Sequence, residues 1–141
     1  MGILIDSSVL IEWERQKFNI KDLIASREEE AFFISVVTVS ELLHGVHRAK
    51  DSKQRMHRSA FVETVISEFE ALEIDVQTAR IHGEISAELA KKGVVVGSQD
   101  LWIGCSAIAH GLGVATINVR DFKRIPGLRV DLWTVEKVDP E

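Results

Sequence analysis

Gly2-Ile3-Leu4-Ile5-Asp6-Ser7-Ser8-Val9-Leu10-Ile11 decides the fold. The apolar run over residues 2–5 predicts a short strand, broken by Asp6-Ser7-Ser8. Val9, Leu10, Ile11 and Trp13 then begin a helical pattern, which Ser7 or Ser8 can cap. The same alternation continues outward. Ile20, Leu23 and Ile24 take helical spacing within residues 19–27, and the solvated Glu28-Glu29-Glu30 precedes a second strand at 31–34. Ser40-Glu41 opens a helix with Val39, Leu42, Leu43 and Val46 on one side. The polar stretch 48–58 forms a basic bend before a long amphipathic segment ending at Phe69.

Residues 72–76 predict a short strand and 78–91 a helix, followed by an apolar loop over 93–97. Ser98 can cap a helix carrying Leu101, Cys105, Ile108, Ala109 and Leu112 on one face, stopped by Gly111 and Gly113. A buried strand at 114–117, a turn with a short helix over 118–125 and a partly edge strand over 128–135 complete the chain. Strands alternating with helices predict an α/β fold whose central sheet is mainly parallel and covered on both faces.

With 141 residues and no linker or repeat, one domain over residues 1–141 is expected. The 17 basic and 22 acidic residues give a net charge of −5, which argues against indiscriminate binding of nucleic acid and leaves room for a local basic strip. No apolar run approaches the roughly 20 residues of a membrane span. The single cysteine, Cys105, lies in an apolar stretch and fits a buried thiol in a reducing compartment, so a cytoplasmic location is expected.

In parallel sheets, ligands bind beyond the carboxyl ends of the strands. Asp6 follows the first strand, Asn118 and Asp121 follow the strand at 114–117, and Glu41 and Asp100 stand in early helical turns. Carboxylate oxygens are the donors hard cations such as Mg²⁺ and Mn²⁺ prefer. Taken singly, an acid at a helix start is ordinarily a cap or a partner of the macrodipole. Asp6 resists that reading, because a carboxylate after three large apolar residues is costly to desolvate without partners. No phosphate-binding glycine loop, dinucleotide fingerprint, zinc-protease helix or nucleophilic triad is present.

Four ordered stretches carry a family resemblance: Ile3 through Ile11, Ser35 through Gly45 with Ser-Glu-Leu-Leu-His-Gly, Gly97 through Ala109 with Gly-Ser-Gln-Asp-Leu-Trp-Ile, and Thr116 through Leu128 with Asn-Val-Arg-Asp-Phe. Together they resemble the PIN-domain ribonucleases, and among them the VapC-type toxins of toxin–antitoxin pairs. The resemblance implies a PIN-like α/β/α sandwich and metal-dependent endonucleolytic cleavage of RNA with Mg²⁺ or Mn²⁺. It places the acidic site on Asp6, Glu41 and Asp100. The fourth place is matched by Asn118 in many PIN domains and by Asp121 in toxin-like members; Asp121 is the preferred match, with Asn118 accessory through its carbonyl. Asp6 and Asp100 are expected as the main metal ligands, Glu41 as a ligand or water-orienting base, and Asp121 as an outer or second-metal ligand. Ser7 and Thr116 are expected to orient the site.

Two basic sources could hold a phosphodiester backbone: Arg48, Lys50, Lys53, Arg55 and Arg58, and then Arg120, Lys123, Arg124 and Arg129, the second set adjoining Asp121 and reading equally as a solvated face near an acidic region. Trp13 and Trp102 sit in amphipathic patterns and are assigned to packing. The resemblance further implies a VapB-type antitoxin as partner. The apolar surface of the helices from Ser40 to Phe69 predicts a homodimer. Two competing readings are a non-catalytic PIN-like binding or regulatory module and a phosphoryl-transfer α/β domain, the second weakened because Ser8 stands where a dehalogenase carries its second Asp.

Overall fold

The computed structural model describes residues 2–15 and 19–133. The elements run β1 (Gly2–Ile5), α1 (Ser7–Glu14), α2 (Ile20–Ala25), β2 (Ala31–Ser35), α3 (Val36–His47), α4 (Ser52–Glu68), β3 (Glu70–Leu72), α5 (Val76–Lys91), α6 (Ser98–Ala109), β4 (Leu112–Thr116), α7 (Val119–Phe122) and β5 (Val130–Leu132). The five strands form one sheet in the order β3-β2-β1-β4-β5, and every pairing is parallel. The expected mainly parallel α/β/α architecture is therefore observed.

Strand β1 lies at the centre because it is apolar on both faces. Its side chains alternate: Ile3 and Ile5 enter a core with Val9, Leu42, Val62 and Val65 from α1, α3 and α4, while Leu4 enters a second core with Ile85, Leu101, Ile103 and Phe122 from α5, α6 and α7. In β4, Ala115 joins the first core and Val114 the second. Helices α1 to α4 thus cover one face and α5 to α7 the other. Chain connectivity reverses direction between β1 and β4, and the crevice beyond their carboxyl ends is where such sheets bind ligands.

Several boundaries differ from the sequence reading. Helix α3 begins at Val36, where the Ser35 hydroxyl accepts from Val37 N–H at 3.0 Å, so Glu41 is an interior helical residue and not part of the helix opening. Asp6 itself, and neither serine, is the N-cap of α1. Val76 belongs to α5, capped by Asp75, which accepts from Thr78 N–H at 2.8 Å. Gly97 occupies the cap position of α6 with no side-chain bond, making Ser98 the first helical residue. Strand β4 starts at Leu112, immediately after Gly111, whose φ of 70° closes α6 in the left-handed conformation. The last strand is only Val130–Leu132, and the expected extension over 134–135 lies outside the described residues. Arg27 braces this edge, donating to Asp131 at 2.7 Å while lying 5.1 Å over the Trp133 ring.

Among the described residues no helix is long and apolar enough to cross a membrane. Cys105 is free and buried, as expected, and burial pushes its thiol up to about 11. Leu4 is fully buried between β1 and the α5–α7 layer. Leu4→Ala is expected to lower the unfolding free energy by about 2–5 kcal/mol, measured by urea denaturation; a midpoint equal to wild type would contradict this packing.

Candidate active site

The crevice at the β1/β4 switch point is organised around Asp6, which is only 4% exposed. Its backbone N–H donates to Ala115 O at 2.9 Å, extending the β1/β4 ladder past the strand end. Two hydroxyls donate to its Oδ2: Ser8 Oγ at 2.7 Å and Thr116 Oγ1 at 2.9 Å. Both are supplied in turn from the turn after β4, because Ser8 Oγ accepts from Ile117 N–H at 3.2 Å and Thr116 Oγ1 accepts from Asn118 N–H at 3.0 Å. Backbone donors thus feed hydroxyls, and the hydroxyls feed the carboxylate, the kind of satisfied network a desolvated acid requires.

Three further acids surround it. Glu41 reaches in from α3, Asp100 from the first turn of α6 and Asp121 from α7. Asp100 is pushed up to about 7, first by burial and then by the charges of Asp6, Asp121 and Glu41, and it shares a hydrogen bond with Asp121. Burial likewise raises Glu41, reinforced by the charge of Asp6 and opposed by the Ser7 hydroxyl beside its carboxyl group. Oε1 of Glu41 is buried without a hydrogen-bond partner. Glu41, Gly97, Ser98, Gln99 and Asp100 line an open cleft of about 570 Å³. A Cβ on Gly97 would stand 3.6 Å from Asp121 Oδ2 and 3.8 Å from Asp100 Oδ2, so glycine leaves the wall between these acids low.

Of the four acids singled out in the sequence, Asp6, Glu41 and Asp121 each lie within electrostatic reach of Asp100, and Glu41 also within reach of Asp6. Ser7 lies beside the Glu41 carboxyl group, and Thr116 donates to Asp6. Ser8 was missed as a site residue, although it donates the shortest bond to Asp6; the Asp-Ser-Ser turn after a strand was its only signal. Asn118 is exposed at the cap of α7, and its described contacts to the site run through its backbone. Among the described residues no three His, Cys, Asp or Glu side chains form a closed coordination cluster. The donor set nevertheless fits a hard divalent cation: all four acids offer oxygen, they repel one another, and one buried oxygen lacks a partner.

The basic residues divide by position. Arg120, Lys123 and Arg124 are exposed on α7 and just beyond it, beside Asp121. Arg124 also donates to Val95 O at 2.8 Å and so secures the loop leading to Gly97. Arg129 is corrected as a phosphate contact near the site: it donates to Gly2 O at 3.0 Å and lies over Gly113, at the amino ends of β1 and β4, away from the acids. Trp102 stacks on His82 with ring centres 3.7 Å apart, in keeping with its assignment to packing.

Comparison with known proteins gives a family and its relatives. A PIN domain family model matches residues 3–128. Ribonuclease VapC1 of Rickettsia felis is 38% identical over 130 residues, covering 92% of this chain and 95% of that protein. The tRNA(fMet)-specific endonuclease VapC of Salmonella typhimurium is 40% identical over 119 residues, covering 84% and 83%. Among solved structures, DNA-bound VapBC from Salmonella typhimurium superposes with a TM-score of 0.86 at 34% identity, covering 95% of this chain and 99% of the matched chain.

The crowding of charge has a measurable signature. Folding raises Asp100 above its value in the unfolded chain, so the metal-free native state holds an extra proton between about pH 4 and that raised value. Stability contributed by that proton is present at low pH and is lost as pH rises through the window. Thermal melts in EDTA should show the wild type losing more stability from pH 4 to 7 than Asp100→Asn does; parallel profiles would refute the assignment.

Proposed function

The chain belongs to the PIN-domain family, and on that premise we propose that it is a metal-dependent endoribonuclease, the VapC-type toxin of a toxin–antitoxin pair, working as one domain over residues 1–141. The observation that carries this reading is the convergence of Asp6, Glu41, Asp100 and Asp121 from four separate elements, with Asp100 raised to about 7 by burial and by the other three. A purely structural role gives no reason to assemble four acids that oppose one another's ionisation. The curated relatives named as ribonucleases over most of this chain support the same activity.

Asp6 and Asp100 would hold a divalent cation, Mg²⁺ or Mn²⁺, with Glu41 and Asp121 as further ligands or outer partners. Such a cation, when bound, offsets the charge of the acids and the phosphate and lowers the pKa of water. The chain's own contribution is placement. Ser8 and Thr116 fix the Asp6 carboxylate through Oδ2. Glu41, with a partnerless Oε1, is free to orient the attacking water and take its proton. Attack on phosphorus breaks one phosphodiester P–O bond, with water supplying the new oxygen. Ser7 and Asn118 support the site, and Arg120, Lys123 and Arg124 hold flanking phosphates.

The VapBC complexes among the structural matches support a VapB-type antitoxin as partner. Met56 and Ile66 on α4 are exposed and support a homodimer through that helix, and the expected location is the cytoplasm. The reading of a non-catalytic binding module is not favoured, because the complete acid set is retained.

Purified, antitoxin-free protein is expected to cut total cellular RNA into discrete fragments with Mg²⁺ or Mn²⁺ and to leave it intact in EDTA. Asp6→Asn and Asp100→Asn should each lower the rate by at least about 100-fold, the upper range for losing even an outer partner of a metal ligand. Folded wild type that binds the cation and leaves every RNA class intact would overturn the proposal.

A further inference from the structure

Glu41 borders two hollows. Besides the acid cleft, it lines a second cleft of about 450 Å³ between α1, α3 and α4, together with Gly45, Arg15 and Arg58. Gly45 lies one helical turn after Glu41, on the same face of α3. Glycine is the least favourable residue inside a helix after proline, and a Cβ built at Gly45 meets nothing within 4 Å. Neither close packing nor an unusual backbone conformation accounts for it. What the missing side chain provides is open space directly beside the acid site.

The walls of that space set Arg15 and Arg58 among Glu14, Glu41 and aliphatic side chains, and an aromatic pair stands farther along. Arg58 donates from Nη1 to Gly45 O at 2.7 Å, which holds its guanidinium at the cleft. Arg15 closes α1 with its side chain 64% exposed. Beyond Glu14 and His57, which line both, the cleft continues into a hollow of about 680 Å³. There Trp13, which packs half-buried against the first core as assigned from the sequence, also lines the hollow and meets Phe61 edge to face, their ring centres 5.3 Å apart, beside Lys21. Against Glu14 and Glu41 the walls set Arg15, Lys21 and Arg58; Arg15 pairs with Glu12 and Lys21 with Glu68, each at 3.8 Å, long surface pairs weak enough for a phosphate to replace. Cations for phosphates and ring faces for bases, arranged along one groove, are the features that hold single-stranded nucleic acid.

We propose that one arm of the RNA strand leaves the acid cluster past Gly45 and runs along this cleft, with Arg15 and Arg58 on its phosphates and the Trp13–Phe61 pair against a base. This rests on the ribonuclease reading for its chemistry, but the binding path is separately testable. The probe is a fluorescein-labelled oligouridylate, its affinity read by anisotropy in EDTA and its cleavage kinetics read in Mg²⁺. Gly45→Leu, which fills the space, and Arg15→Glu, on an exposed side chain, should each raise Kd at least tenfold. KM should rise in parallel, with a smaller fall in kcat. Gly45→Ala should bind more weakly than wild type and melt at or above its temperature, separating occlusion from misfolding.

Equal affinities for wild type, Gly45→Leu and Arg15→Glu would overturn the proposal, as would a wild type that does not bind the probe. Gly45→Leu that loses an antitoxin peptide while keeping oligouridylate affinity would overturn it too, assigning the cleft to a protein segment. Tenfold losses of affinity in a protein that cuts no RNA would support the path and overturn the ribonuclease reading alone. If Gly45→Leu fails to fold, Arg15→Glu decides between these outcomes.

Discussion

The structure depends on a carboxylate withdrawn from water at the end of its central strand. Asp6 is buried at the point where β1 stops, and such a group is tolerable only when its oxygens find donors. Ser8 and Thr116 provide them to Oδ2, and both hydroxyls take backbone hydrogens from the turn that follows β4. One network therefore ties together the cap of α1, the ends of both central strands and the entry to α7. Glu41, Asp100 and Asp121 then meet a negative neighbour in a partly desolvated crevice, and Asp100 bears the largest consequence. The crevice is arranged with a deficit of positive charge, the condition under which a cation binds with most to gain.

Much of this was legible in the residues, for reasons that can be named. Leu4 between Ile3 and Ile5 signalled a strand covered on both sides, and the two cores on opposite faces of β1 are the result. Asp6 stood out because nothing local compensates an acid after such a run. Glu41 was misplaced to a helix start because Val36, Val37, Thr38 and Val39 are β-branched and weak helix formers. Packing against the sheet overrides that preference, and Ser35 caps the helix before them. The choice between Ser7 and Ser8 could not be read from spacing, since adjacent residues in a first turn face different directions. Only the placement of β4 reveals that Ser8 meets Asp6 and Thr116 while Ser7 lies by Glu41. Asp121 required the same kind of information, because its meeting with Asp100 depends on how α7 packs beside α6.

Net charge proved a poor guide to local character. A chain of net charge −5 concentrates acids in one crevice while exposing Arg120 and Lys123 beside Asp121. What a substrate meets is the field at the crevice and its margins, and total charge does not describe it. Position also separates cations of similar appearance in the sequence: Arg129 braces the amino ends of the strands, Arg124 braces a loop, and Arg58 braces α3 through Gly45 O. Each is a structural tie first, which fixes where its remaining donors point.

The hydrogen bond from Thr116 to Asp6 spans 110 residues of chain, and this has a consequence for synthesis. Contacts between distant segments form late, because the intervening loop must be closed before they repay its entropy. A polypeptide emerging from the ribosome presents Asp6 a full 110 residues before the hydroxyl from β4 that steadies it, and Asp121 follows later still. Products that stop short of β4 consequently lack the assembled acid crevice. The order of translation thereby postpones the gathering of the acids until β4 and α7 have been made and packed.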